Sequence, residues 1–511
     1  MKTMCLLPAA LFFSLSQPAV AQAVATEPFP ETLDAYIRGA LRDWEIPGAA
    51  IAVVKDGRVV VVRGYGVREL GKSDLVDGNT IFDAASLTKS FTAAAVASLV
   101  DDGRMEWDAP VRRYLSTLEF PDPYLSANVT IRDLLCHRTG VRATNSAWYF
   151  TGVTRSQLLE LVKNMELAAP FRTRLVYSNI GYTLAGLAAA AAAGKSWEEL
   201  ITQRLLVPLG MTRTTADFAS APTMGNVASG HALISGVQRV TPRETTPRIT
   251  TAPAGAIQSS ANDLATWALF QLGDGTFRGR RILSAKTMSE MHSPQIVVPS
   301  SEEFRIARQI RYFAAYGMGW QVFDYRGTPL LWHSGSGDGQ SAYIALLPDL
   351  HLGIVVLTNT RKVGVPFNGA VANRIIDHYL SVATRDYATE LRDSWDKELQ
   401  QHEAENRATE ASRLSSTTPS LPLSAYAGVY RDRLGLDVVV TLNNGSLQLQ
   451  YGGGEVAHLA HWHHDTFRLQ WETALHAAEW PAFIRFDISP FAQADSLHTQ
   501  LFGDLVEATR N

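Results

Sequence analysis

Two strand–turn–strand signatures lie far apart in the chain, and this places the strongest constraint on its fold. In the first, an apolar run from Ala49 to Val54 meets the turn dipeptide Asp56-Gly57, and Val59 to Val62 continue after it. In the second, Tyr343 to Leu347 lead into Pro348-Asp349, and Gly353 to Leu357 follow. The residues between are largely helical: Ser90 to Val100 and Leu184 to Ala193 are Ala-rich and end at Gly103 and Gly194. Strands at both ends with helices between predict a mixed sheet flanked by a helical insertion.

The pattern changes after Leu380. Residues 384–420 are charged and Glu-rich, then rich in Ser, Thr and Pro, which reads as a helical connector followed by a linker. From Tyr426 the period switches to two. Val438, Val440 and Leu442 alternate up to Asn444-Gly445, and Leu447, Leu449 and Tyr451 alternate beyond it. Further apolar stretches at Phe467–Trp471 and Phe483–Ile488 make residues 421–511 a small all-β domain, a barrel or a sandwich.

The N-terminus reads as a processing segment. Lys2 supplies a positive end, Leu6 to Leu15 are mostly apolar, and Ala19-Val20-Ala21 offers a small-x-small cleavage site, with Ala23-Val24-Ala25 as a second. Residues 1–21 are therefore expected to be a signal peptide, with cleavage as late as residue 25, and the protein to be periplasmic or secreted. Cys5 lies in this segment, so only Cys136 remains in the mature chain. A single thiol forms no intrachain disulfide, and stability must come from the core. Of 511 residues, 46% are hydrophobic and 19% charged, with a formal net charge of −4. That balance suits a globular protein with a full core and argues against a nucleic-acid partner. No internal apolar run reaches the ~18 residues that span a bilayer, so no membrane span is expected.

Three short elements could carry chemistry. The first is Asp83-Ala84-Ala85-Ser86-Leu87-Thr88-Lys89, where a loop enters a helix. A serine there feels the positive end of the helix dipole, and Lys89, three residues on, shares its face. A lysine whose pKa is lowered by desolvation or a nearby cation can accept the serine proton. The second is Tyr177-Ser178-Asn179, with Gly181 opening a helix. A phenol can shuttle a proton beside a catalytic serine, and an amide can hold both the lysine and a substrate carbonyl. The third is Trp332-His333-Ser334-Gly335-Ser336-Gly337, between the apolar Leu330-Leu331 and the second hairpin. It should lie on or beside an edge strand, which can pair with an extended substrate and lend an N–H to an oxyanion hole.

Together and in this order, the three elements resemble the serine β-lactamase and penicillin-binding-protein superfamily, in particular its class C-like branch of peptidases, esterases and β-lactamases. The run Thr80 to Ser86, the stretch Val129 to His137, Ala254-Gly255-Ala256-Ile257-Gln258-Ser259-Ser260 and Tyr316-Gly317-Met318-Gly319-Trp320 carry the same likeness. The resemblance implies an α+β fold over residues 26–383, an antiparallel sheet flanked by helices with a helical subdomain. It implies Ser86 as acylated nucleophile, with Lys89 and Tyr177 sharing general-base and general-acid duty. Asn179, His333 and Gly335 would bind substrate, and the N–H groups of Ser86 and Ser336 would form the oxyanion hole. No metal and no cofactor are implied.

One departure matters. Dedicated members of the superfamily carry a lysine where this chain has His333, and an imidazole is mostly neutral at pH 7, so carboxylate recognition should be weaker. His-x-Gly resembles the branch containing D-aminopeptidases. Residues 421–511, with Tyr426-Ala427-Gly428-Val429-Tyr430, resemble the lipocalin-like domain appended to several such peptidases. There it can narrow the active-site mouth or mediate assembly, so a homo-oligomer is one expected form.

The expected function is an exported serine hydrolase cleaving short or D-residue-containing peptides, such as cell-wall fragments or linearised cyclic peptides, through an acyl-enzyme on Ser86. A carboxylesterase or weak β-lactamase with the same centre is the alternative among enzymes, and a catalytically silent penicillin-binding or scaffold protein is the alternative of another class. Gly194-Lys195-Ser196 lacks the earlier glycine of a phosphate loop, since Ala189 stands there, and reads as a helix stop. His458, His461, His463 and His464 lack an acidic or thiol partner at ligand spacing.

Overall fold

The computed structural model describes residues 29–149, 151–234, 236–243, 249–299, 308–473, 476 and 482–511. The expected leader lies outside them. The main sheet is built from β1 (Gly48–Lys55), β2 (Arg58–Gly66), β3 (Ile296–Val297), β4 (Ala314–Tyr316), β5 (Gln321–Tyr325), β6 (Thr328–Ser336), β7 (Ser341–Leu347) and β8 (Leu352–Thr358). Its order is β2-β1-β8-β7-β6-β5-β4-β3, which seats the two distant hairpins side by side through β1 and β8. Every ladder is antiparallel, from Ala49 opposite Thr358 to Ala315 opposite Val297, so the sheet is not mixed as the hairpins alone had suggested. The β6 strand is also not an edge: it pairs with β7 through Ser336, but its ladder with β5 stops at Trp332 opposite Gln321. The half of β6 carrying His333 to Ser336 is therefore open on one side.

Both faces of this sheet are covered, which is why its strands read as unbroken apolar runs. Ala50, Ala52 and Val54 of β1 face the core shared with the helical subdomain, and Ile51 and Val53 face the opposite core with Leu33 and Ile37. The second core is covered by α1 (Glu31–Asp43) and later by Phe367, Val371 and Ile375 of a C-terminal helix. The first is filled by α2 (Thr88–Asp101), α3 (Asn179–Ala193) and α4 (Ala261–Leu272). In α3, Ser178 caps the start by accepting the Gly181 N–H at 3.1 Å, and Gly194 ends it in the left-handed conformation at φ 64°. This is the helix stop expected at Gly194-Lys195-Ser196.

After α5 (Gly364–Tyr379) comes the charged α6 (Tyr387–Ala411), and then an eight-stranded closed antiparallel barrel. Its strands are β9 (Gly428–Asp432), β10 (Asp437–Asn443), β11 (Ser446–Tyr451), β12 (Val456–His463), β13 (Thr466–Trp471), β14 (Ala482–Ile488), β15 (Ala494–Leu501) and β16 (Asp504–Arg510). The alternating residues pair across the β10–β11 hairpin as their spacing predicts: Val438 with Tyr451, Val440 with Leu449 and Leu442 with Leu447. Closure removes the sheet edges that would otherwise template aggregation. No helix among the described residues is long and apolar enough to cross a membrane.

Candidate active site

Ser86 sits in a single 3-10 turn, Ala85–Leu87, that feeds directly into α2. Ala85 is held at φ 45°, a conformation that costs a residue with a Cβ and that the surroundings must enforce. They do so from two sides. The Asp83 carboxylate accepts the Ala85 N–H at 2.8 Å and the Gln258 amide at 2.9 Å. The Ile257 carbonyl accepts the Ala84 N–H at 3.0 Å, and the Ile257 N–H donates to the Thr88 hydroxyl at 2.9 Å. The stretch 254–260 is thus the brace of the serine turn.

One α-helical turn on, Lys89 is fully buried and spends three N–H bonds. It donates to Ser86 Oγ at 2.9 Å, to Asn179 Oδ1 at 2.8 Å and to the Ala254 carbonyl at 2.9 Å. The Tyr177 hydroxyl donates to the same Ser86 Oγ at 3.0 Å, and the Lys89 ammonium lies 4.8 Å from the Tyr177 ring centroid. Burial pushes the Tyr177 phenol well above its ordinary pKa, against the smaller opposing effect of its bond to Ser86, so it is a proton donor at neutral pH. The centre therefore holds a serine oxygen between an amine nitrogen, which in its uncharged form can take the serine proton, and a protonated phenol, which can deliver one to a leaving group.

His137 plays a part that sequence reasoning missed. It takes φ 60° at the end of the short helix 131–135 and grips the Tyr177 backbone from both sides. Its carbonyl accepts the Val176 N–H at 2.8 Å, and its Nδ1 accepts the Ser178 N–H at 3.0 Å. Its ring lies 4.3 Å from the Tyr177 ring. An acceptor Nδ1 requires a neutral imidazole, and burial holds its pKa well below the ordinary value. Neighbouring Cys136 is fully buried, and desolvation pushes its thiol up to about 12, which leaves it inert.

The third element runs beside the serine turn. A cavity of about 270 Å³ opens over Ser86, lined among others by Asn179, Ser336 and Gly255. His333 lies beneath the site. Its Nδ1 reaches the Ser334 carbonyl at 2.7 Å and must carry the proton, while Tyr316 donates to Nε2 at 3.0 Å. Both partners are satisfied by a neutral ring, which ties β6 to Tyr316. Gly335 is needed for approach: a Cβ there would meet the Ala84 carbonyl oxygen at 2.4 Å and the Ser86 nitrogen at 3.0 Å, both backbone atoms. Gly335→Ala must push β6 away from the serine turn, and the expected result is at least a ~100-fold loss in kcat/KM with a lowered melting midpoint. Steady-state kinetics beside a thermal melt check this, and near-normal turnover would show that the strand can yield.

The His333 environment carries a pH consequence. Desolvation, with Lys89 nearby, lowers its pKa to about 3. The unfolded chain takes up a proton near pH 6.5, whereas the folded chain does so only near 3. The stabilisation is therefore complete above about pH 6.5 and is lost as pH falls toward 3. At pH 4.5 the loss from this residue is about 2–3 kcal/mol. Urea titrations at pH 7 and 4.5 should show a smaller fall for His333→Gln than for the wild type. His137 and His292, the latter held at about 4 by burial, add to the wild-type slope in the same direction.

A family model described as Beta-lactamase matches residues 33–375, and one described as a domain of unknown function (DUF3471) matches residues 412–509. An unguisins hydrolase of Aspergillus campestris is 29% identical over 423 residues, covering 79% of this chain and 76% of that protein. An octameric penicillin-binding protein homologue from Pyrococcus abyssi superposes with a TM-score of 0.62 at 21% identity, covering 93% of this chain and 99% of that one. SurE superposes with a TM-score of 0.56 at 22% identity, covering 94% and 99%, and has also been solved with D-Leu. At these identities the structural matches show the fold alone.

Proposed function

The chain belongs to the beta-lactamase family and is a serine hydrolase, and from that premise we propose that it is an exported peptidase cleaving short or D-residue-containing peptides through an acyl-enzyme on Ser86. In this reading Lys89 and Tyr177 share the proton transfers, Asn179 positions the substrate amide, and the Ser86 and Ser336 N–H groups hold the oxyanion. The observation that carries it is the protonated Tyr177 hydroxyl 3.0 Å from Ser86 Oγ. An amide leaves only with a proton on its nitrogen, whereas an activated ester leaves without one, so a buried phenol donor suits peptide cleavage. The neutral His333 removes the fixed cation that would favour a carboxylate-bearing β-lactam. The name of the unguisins hydrolase and the D-Leu in the SurE crystal support a peptide substrate of unusual stereochemistry. The octameric relative supports assembly of several copies.

The test is turnover of three probes by the full-length mature protein: a D-amino-acid p-nitroanilide, a chromogenic cephalosporin and a p-nitrophenyl ester, with Ser86→Ala as the blank. Serine-dependent anilide cleavage is the expected result. Ester or β-lactam turnover with no amide cleavage would overturn the peptidase reading.

A further inference from the structure

One turn of the barrel is built against its local preference. Phe502 and Gly503 join β15 to β16, with Leu501 paired directly opposite Asp504, and both turn residues have positive φ, 56° and 85°. Such two-residue hairpin turns favour Asn, Asp or Gly at the first position, because a large side chain is strained there. The same barrel obeys that preference at Asn444-Gly445, where φ is 50° and 77°. The chain also carries arginine at this position in Arg326-Gly327, so a bulky residue is tolerated there, and the reason for a phenylalanine is sought outside the turn.

Its ring supplies one. Phe502 lines the same cavity as Ser86, Asn179 and Ser336, although it belongs to the barrel. It meets the Tyr149 ring edge-on at 5.4 Å and 72°. Asp504 accepts the Ser146 N–H at 2.7 Å, which pins the rim segment that presents Tyr149. On the barrel turn between β11 and β12, the Gly452 carbonyl accepts the Gly152 N–H at 3.0 Å. The barrel thus completes a wall of the catalytic cavity and is fastened there by backbone-level contacts.

The wall adjoins the end of β6. Tyr149 donates to Asp338 at 2.7 Å, and Arg361 bonds the same Asp338 oxygen at 2.8 Å, beyond the Ser336 end of β6. Tyr177, which in the proposed mechanism protonates the leaving group, reaches Ser86 from the start of α3. The aromatic pair borders the cavity near the Asp338 end of β6, and with Asp338 and Arg361 already paired, that wall offers rings in place of a net charge. About 270 Å³ is below the size of pockets that hold drug-sized ligands, and suits a single residue at the scissile bond.

We propose that Phe502 is a specificity-determining residue supplied by the barrel, forming with Tyr149 an aromatic subsite for an apolar or aromatic side chain on the acyl-side residue of the substrate. The substrate class rests on the peptidase reading above, but the subsite is testable without it. The experiment compares kcat/KM of the full-length protein for p-nitrophenyl 3-phenylpropionate and p-nitrophenyl acetate. Wild type should favour the phenylpropionyl ester. Phe502→Asn, chosen because asparagine suits the turn, should lower that ratio about tenfold, and Phe502→Tyr should restore most of it. A ratio unchanged within about twofold, or one that rises because the ring was an obstruction, would overturn the proposal. Failure of the peptidase reading shows separately, as absent anilide cleavage by a wild type whose ester ratio remains measurable.

Discussion

Replacing Ser86 by alanine is expected to abolish turnover of amide, ester and β-lactam probes alike, a loss of at least ~10³-fold, while the protein remains folded. The Cys136 thiol offers no substitute nucleophile, since it is buried and held protonated. The variant removes one hydroxyl, yet Lys89 keeps Asn179 Oδ1 and the Ala254 carbonyl as acceptors, so its ammonium is not stranded in the core. A serine-reactive probe that labels the wild type and releases p-nitrophenol in a burst should do neither with the variant. Normal turnover by Ser86→Ala would sink the whole assignment, including every role derived from it.

The second large effect separates the two groups around that serine. Lys89→Ala and Tyr177→Phe are each expected to lose at least ~100-fold in kcat/KM, for different reasons. Truncating Lys89 strips a cation from a fully buried position and leaves the Asn179 and Ala254 acceptors without it, so a lower melting midpoint should accompany the kinetic loss. Tyr177→Phe keeps the ring against His137 and removes only the hydroxyl, so stability should change little. Its kinetic loss should be larger for an anilide than for a p-nitrophenyl ester, because only the amine needs the phenol proton. Equal losses on both substrates would place Tyr177 in the attack step alone and remove the observation on which the peptidase reading stands.

Much of the molecule was legible from local patterns. The hairpins around Asp56-Gly57 and Asn444-Gly445 and the helix stop at Gly194 depend on turn chemistry within a few residues, and all appear as expected. Ser86 and Lys89 were legible as a pair because helix periodicity alone puts them on one face. The antiparallel sheet was carried by the family resemblance and not by the hairpins, which had suggested a mixed one. Hairpins specify antiparallel neighbours, but not how two hairpins from opposite ends of the chain meet, and the β1–β8 ladder from Ala49–Thr358 to Lys55–Leu352 settled it.

His333 marks the boundary between the two kinds of information. Its neutral state was expected from the residue type, but its setting was not: the ring is buried between the Tyr316 hydroxyl and the Ser334 carbonyl. His137 was hidden in a stretch that looked purely structural, because its work is done on Tyr177, a residue it meets only through folding. The same holds for Phe502, Tyr149, Asp338 and Arg361, which come from the barrel, the rim and the ends of two sheet strands. The sequence by itself determined the reacting groups and the periodic elements that carry them, since both follow from interactions within a few residues. Only the tertiary structure decided which side chains wall the cavity and which hold the reacting groups in place, because those contacts join segments far apart in the chain and exist only once the core has brought them together.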